Sequence, residues 1–140
     1  MLYLIYTKNH PNLSYRGGQT PIIHLESDLY KVIEVANRNK QRWAFTLSNA
    51  GTVFFEDRSD LLKLNEINWI AVQSDRWSGN NVLPSIKEGK QAEFLLEHSL
   101  RWNLVDRIVV YSQEIYDTVK EKLSIDSHCP LIEIKRNWYY

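Results

Sequence analysis

Hydrophobic and polar positions follow one another along this chain in short stretches whose period changes several times. Leu2 to Thr7 is β-branched and aromatic with no turn residue, which predicts a strand. Lys8 to Thr20 is polar and punctuated by Pro11, Asn12, Gly17 and Gly18, which predicts a loop. Pro21 to Leu25 predicts a second short strand. Ser27 then stands where a cap belongs, ahead of a helix to Asn37 with Leu29, Val32, Ile33 and Ala36 on one face. Trp43 to Leu47 predicts a third strand, closed by a turn at Ser48-Asn49-Ala50-Gly51. Between Asp57 and Val72, the spacing of Leu61, Leu64, Ile67 and Ala71 predicts one broken helix or two short ones. Ser74 to Gly89 reads as a loop, long enough to serve a function. Gln91 to Glu97 and Arg107 to Tyr111 are strand-like. Ser112 caps a further helix with an apolar stripe of Ile115, Tyr116, Val119 and Leu123. Leu131 to Lys135 predicts a last strand, followed by the aromatic end Trp138-Tyr139-Tyr140.

About six strands and three or four helices in mixed order imply an α+β fold, with a mixed or antiparallel sheet and flanking helices. With 140 residues and no repeat or linker, residues 1–140 are expected to form one domain. Seventeen basic residues balance seventeen acidic ones, which argues against a histone-like coat of positive charge and leaves room for a local basic rim. No apolar run approaches the roughly 18 residues that cross a bilayer, so no membrane role is expected. The opening Met1-Leu2-Tyr3-Leu4-Ile5-Tyr6 is too short for a signal-peptide core. Cys129 stands alone, which excludes a disulfide framework and points to a cytoplasmic protein. Five Trp and eight Tyr are many for this length and suit either a core or a concave site.

The stretch Gln91-Ala92-Glu93-Phe94-Leu95-Leu96 carries most chemical information. A period of two turns Ala92, Phe94 and Leu96 toward a core and sets Gln91 and Glu93 side by side on the opposite face. A carboxylate at a strand mouth can stabilise an oxocarbenium-like centre, and Gln91 can orient a nucleophile. Two polar residues facing solvent on an edge strand would give the same pattern. His10, His24, His98 and His128 show no metal-ligand spacing, so no metal is expected. His24 lies in the apolar Ile22-Ile23-His24-Leu25, where a structural histidine with a satisfied hydrogen bond is the favoured reading. Tyr15-Arg16-Gly17-Gly18-Gln19 lacks a phosphate-loop lysine and reads as a tight turn. Lys87, Lys90 and Arg76 can meet phosphates, although solvated surface charge explains them equally well.

Taken in order, several of these pieces resemble the DarT family of DNA ADP-ribosyltransferase toxins. They are Met1-Leu2-Tyr3, Tyr15-Arg16-Gly17-Gly18-Gln19, the Pro21 to Leu25 strand with His24, Gln91-Ala92-Glu93-Phe94-Leu95, and Trp138-Tyr139-Tyr140. The resemblance implies an ADP-ribosyltransferase fold and transfer of ADP-ribose from NAD to a nucleobase of single-stranded DNA. It places the catalytic glutamate on Glu93, with Gln91 as its partner, and offers His24 and Tyr15 as NAD contacts. It makes the segment from Thr52 to Lys90 the acceptor loop, with Arg76, Trp77, Lys87 and Lys90 as candidate DNA contacts; aromatic and cationic side chains suit an unpaired strand. It also implies a toxin partnered by a macrodomain-type antitoxin. Two departures are visible. The family has a further N-terminal stretch, so residues 1–140 correspond to its C-terminal part, and a catalytically incomplete binding module is the alternative. Some relatives carry a histidine where this chain has Asn49-Ala50-Gly51-Thr52, which leaves the acceptor base open between thymine and guanine.

Overall fold

Residues 14–53, 55–74 and 81–139 are described by a computed structural model, and two three-stranded sheets account for their strands. The expected first strand, Leu2 to Thr7, lies outside the described residues. The chain divides into two units, one of Met1–Val32 with Leu100–Tyr140 and the other of Ile33–Ser99.

The first unit is built on the apolar run at Arg107–Val110, which forms the central strand β5 of a mixed sheet ordered β1-β5-β6. Strand β1, His24–Glu26, runs antiparallel to it and β6, Leu131–Ile134, parallel. A parallel neighbour needs a crossover, and the helix Gln113–Leu123 supplies it. Ser112 starts that helix by accepting a hydrogen bond from the Ile115 N–H at 3.4 Å, as its sequence position predicts. Alternation along β5 sends Ile108 and Val110 into a core with Val105, against which Trp102, Ile115, Tyr116, Val119, Leu123 and Ile132 pack. Register is fixed by charge as well as by burial. The Arg107 guanidinium donates to both Glu26 carboxylate oxygens, at 2.5 and 2.7 Å, and to Glu133 at 2.8 Å. One side chain on the central strand therefore ties both neighbours.

Two expectations in this unit need correction. The second strand begins at His24, because Gln19 to Ile22 closes a turn through the Ile22 N–H and the Gln19 carbonyl, 2.9 Å apart. The following helix, Leu29–Arg38, is capped by Asp28, whose carboxylate accepts the Lys31 N–H at 3.0 Å. Ser27 has a buried hydroxyl with no partner among the described residues.

The second unit holds an antiparallel sheet ordered β3-β2-β4. Its middle strand β2, Trp43–Thr46, pairs with β4, Phe94–Leu96, in the register Trp43↔Leu96, Ala44↔Leu95, Phe45↔Phe94. The short β3, Asp57–Arg58, was not expected. It pairs with Phe45 and Thr46, so a tertiary partner and not its own polar sequence makes it a strand. Two short helical pieces follow, a 3-10 turn at Leu61–Glu66 and an α-helix at Trp69–Gln73, in agreement with the broken helical spacing. The predicted loop from Ser74 contains a helix, Pro84–Gly89, with proline in the first turn where its missing N–H costs nothing. Residues 75–80 of that loop lie outside the described set. Gly89 lets this helix pack closely on the helix Trp69–Gln73 and its cap: a Cβ there would stand 2.9 Å from Asn68 Cβ and 3.0 Å from Ala71 Cβ. Among the described residues no helix is long and apolar enough to cross a membrane.

Candidate active site

The segment that carries Glu93 is held by its backbone, which leaves the carboxylate exposed. The helix Pro84–Gly89 ends in a turn in which the Gln91 N–H reaches the Glu88 carbonyl and the Ala92 N–H the Gly89 carbonyl, at 3.0 and 3.2 Å. Glu93 follows at once, one residue before β4. Its carbonyl accepts the Thr46 N–H at 2.8 Å, and its own N–H donates to Thr46 Oγ1 at 2.9 Å. Thr46 is fully buried, and its hydroxyl donates onward to the Ser48 carbonyl at 2.6 Å. A buried threonine thus satisfies both backbone groups of Glu93. The Glu93 side chain points away, exposed, with no hydrogen-bond or ion-pair partner among the described residues.

Gln91 behaves differently. It lies in the turn ahead of the strand and is half-buried. Its Oε1 accepts from Asn49 Nδ2 at 3.0 Å, and its Nε2 donates to the Lys87 carbonyl at 2.9 Å. Strand pairing begins only at Phe94, so the expected side-by-side projection of Gln91 and Glu93 from one strand is replaced by a turn residue and a strand-entry residue. The alternation beyond them holds, with Leu95 exposed between half-buried Phe94 and Leu96. Neither reaches the full burial expected of a core; Phe94 stacks on Trp43 at 6.2 Å.

The basic candidates separate. Arg76 and Trp77 lie outside the described residues. Lys87 sits in the last turn of its helix and is half-buried. The Lys90 ammonium donates to the carbonyl of Ser74 and, at 3.5 Å, to that of Val72. That places a cation at the C-terminal end of the helix Trp69–Gln73, where free carbonyls favour it.

In the other unit, His24 lies on the β5 face opposite the apolar core, paired with Val109. Its ring meets Tyr139 edge-on at 4.7 Å and Trp138 at 5.7 Å. The Tyr139 hydroxyl is anchored to the Ile22 carbonyl at 2.7 Å and the Val109 carbonyl at 3.2 Å. The expected satisfied hydrogen bond is absent: Nε2 of His24 is buried without a partner among the described residues. Burial pushes its pKa below 6.5, which keeps the ring neutral. Tyr15 is exposed, with its ring over Gly17, where a Cβ would meet the phenol oxygen at 2.3 Å. Gly18, at φ 73°, completes the tight turn expected there.

A cavity of about 740 Å³ opens beside β2 and β4, lined in part by Arg42, Ala44, Asp57, Ser59 and Leu95, and neither Gln91 nor Glu93 lines it. Among the described residues no three His, Cys, Asp or Glu gather to hold a metal ion.

Comparison with known proteins decides the family. The family model described as "ssDNA thymidine ADP-ribosyltransferase, DarT" matches residues 1–140. The chain belongs to the DarT family. It is 33% identical over 142 residues to a DNA ADP-ribosyl transferase of Thermus aquaticus, and 33% identical over 144 residues to one of Thermus sp. strain 2.9. The alignments take in all of this chain but 58% and 63% of those proteins, so it spans about three-fifths of the curated relatives it matches. The structure of Thermus sp. 2.9 DarT in complex with NAD+ superimposes with a TM-score of 0.84 at 30% identity, covering 99% of this chain and 66% of that one. Thermus sp. 2.9 DarT in complex with ADP-ribosylated single-stranded DNA gives 0.85 at 30% identity, covering 99% and 63%. The α+β expectation is borne out as the ADP-ribosyltransferase fold of DarT. Sequence reasoning missed Thr46 and, though it named Asn49 and Tyr139, missed their contacts; each meets a candidate residue distant in sequence.

Proposed function

We propose that this chain is the transferase portion of a DarT enzyme that moves ADP-ribose from NAD to a base of single-stranded DNA. Residues 1–140 would work as one functional domain. The observation that carries this reading is the Glu93 carboxylate, exposed and without a partner among the described residues, on a backbone clamped to buried Thr46. A negative charge fixed in this way can face positive charge that develops in a transition state without reorganising first. NAD supplies the ribose carbon and a nicotinamide leaving group. Glu93 stabilises the oxocarbenium-like centre as the bond to nicotinamide breaks, and a nitrogen of the base bonds to the same carbon and releases its proton to solvent. Gln91 faces the acceptor.

His24 and Tyr15 are the proposed NAD contacts. The Nε2 of His24, without a partner among the described residues, fits a ribose hydroxyl, because a buried polar atom without a partner gains most from one. Arg76, Trp77, Lys87 and Lys90 are the proposed DNA contacts, with Lys90 acting mainly by holding the acceptor segment together. A base must leave its stack to be modified, which favours a single strand. Thymine is the first choice of acceptor, since the matching family is described as acting on thymidine, and guanine is the second. The biological setting we propose is a cytoplasmic toxin countered by a macrodomain-type antitoxin. The chemistry calls for no metal.

Single-stranded oligonucleotides, each enriched in one base, are incubated with the chain and NAD and weighed intact. One oligonucleotide gains a single ADP-ribose. Glu93→Gln lowers that gain at least about a hundredfold, the usual weight of a charge-stabilising group. If no oligonucleotide gains mass yet binding persists and tightens as salt falls, the chain is a nucleic-acid-binding module instead.

A further inference from the structure

We propose that Asn49 is a positioning residue for the transfer, because it fixes which way the Gln91 amide points, two residues ahead of Glu93; this rests on the transferase reading. The two ends of an amide side chain are nearly alike in shape, and only their hydrogen-bond partners tell oxygen from nitrogen. Here the partners leave no choice. The Gly51 N–H can only donate, and it reaches Asn49 Oδ1 at 2.7 Å. Asn49 must therefore turn its Nδ2 outward, and that nitrogen meets Gln91 Oε1 at 3.0 Å. Gln91 is then obliged to turn Nε2 toward the Lys87 carbonyl, which can only accept, at 2.9 Å. A backbone donor at one end and a backbone acceptor at the other set the direction of both amides.

The chain of bonds joins three pieces of one unit: the turn after β2, the end of the helix Pro84–Gly89, and the entry to β4. Its first link is compact, since a Cβ on Gly51 would stand 3.1 Å from Asn49 Oδ1. The turn is also closed by the Thr52 hydroxyl, which donates to the Asn49 carbonyl at 3.0 Å. One N–H of Gln91 remains for a substrate, and its place is set, on the helix side of the amide. A base carbonyl beside the attacking nitrogen is the group that this N–H would hold, and thymine and guanine both have one.

Asn49→Asp separates this role from that of the turn. A carboxylate still accepts the Gly51 N–H but has no donor for Gln91 Oε1, so the amide loses its direction while the turn survives. Transfer to single-stranded DNA should fall about tenfold in kcat, the weight of one well-placed hydrogen bond, with the KM for NAD unchanged. In a Gln91→Ala background the same substitution should cost nothing further, which a merely structural role would not produce. The side-chain NH2 resonances of Gln91 report the geometry without activity, and they should lose their slow exchange in Asn49→Asp. A kcat within twofold of the parent, or loss in Asn49→Ala alone, would overturn the proposal. If the parent chain transfers nothing, the transferase reading fails by itself. Unchanged Gln91 resonances in Asn49→Asp would then still refute the assignment of Asn49.

Discussion

The two sheets have three strands each and are held together by different means. In the mixed sheet the central strand is sealed: Ile108, Val109 and Val110 are at most 1% exposed, and an apolar cluster covers one face. In the antiparallel sheet the central strand has Phe45 and Thr46 buried, while Trp43 and Ala44 are half-buried and Leu95 of β4 is exposed. What the second sheet lacks in burial it replaces with directed polar contacts, from Thr46 to Glu93, Asn49 to Gln91, and Lys90 to Ser74. Apolar packing is strong but directionless, whereas a hydrogen bond fixes an orientation for a small net gain. A side chain that has to stay exposed and aimed, as the proposed transfer asks of Glu93, is better served by the second kind of support.

The contrast predicts where stability resides. Ile108→Ala removes a fully buried side chain from the middle of β5 and should cost about 2–5 kcal/mol in urea unfolding. A cost below about 1 kcal/mol, typical of a site that collapses or is exposed, would show that burial does not hold this sheet. Thr46→Val is the matching test in the antiparallel sheet. It keeps the volume but strands the Glu93 N–H and the Ser48 carbonyl, so it should cost about 1–3 kcal/mol. Hydrogen exchange at the Glu93 amide should quicken at the same time. If that amide stayed protected, Thr46 would not be the clamp.

The same contrast explains which parts of the molecule are legible in the sequence. β5 and β6 are predicted to within a residue, because Arg107-Ile108-Val109-Val110 and Leu131-Ile132-Glu133-Ile134 are continuous strand-forming runs. β3 is not, since Asp57-Arg58 has no strand character of its own and is made by pairing with β2. The helix at Pro84 had a local signal, a proline placed to open a first turn, hidden within a segment rich in Gly and Asn. At the site, Gln91 and Glu93 stand out because they are neighbours in sequence. Asn49 is separated from Gln91 by 42 residues and Tyr139 from Ile22 by 117, so neither pairing leaves a local pattern. The helix cap shows a finer limit. Ser27 and Asp28 are both good caps, and the choice of Asp28 is made by the fold.

Acid should distinguish the two units by a smaller effect than either substitution. In the mixed-sheet unit, burial depresses the pKa of His24 below 6.5. Once the pH drops under 6.5, the unfolded chain takes up a proton that the folded chain resists, so the unfolded state binds more protons and stability falls with pH. That loss begins near pH 6.5 and continues down to the folded pKa. In the antiparallel unit the sign of the shift is the same and the window lower. The Arg42 side chain and its backbone N–H hold the Glu97 carboxyl down at about 2 instead of 4.5. The resulting stabilisation is complete above pH 4.5 and is lost as the pH falls from 4.5 toward 2. Unfolding measured across a pH series should therefore show two separate acid limbs. His24→Phe, which keeps an aromatic ring edge-on to Tyr139, should remove the upper limb and leave the lower. Glu97→Gln should shrink the lower limb and leave the upper; the remainder belongs to Glu133 of the mixed sheet, whose carboxyl Lys135 and Arg107 also hold below 4.5. Should the upper limb persist in His24→Phe, another group would be its source, and the buried imidazole would have to find in solution the hydrogen-bond partner that it lacks here.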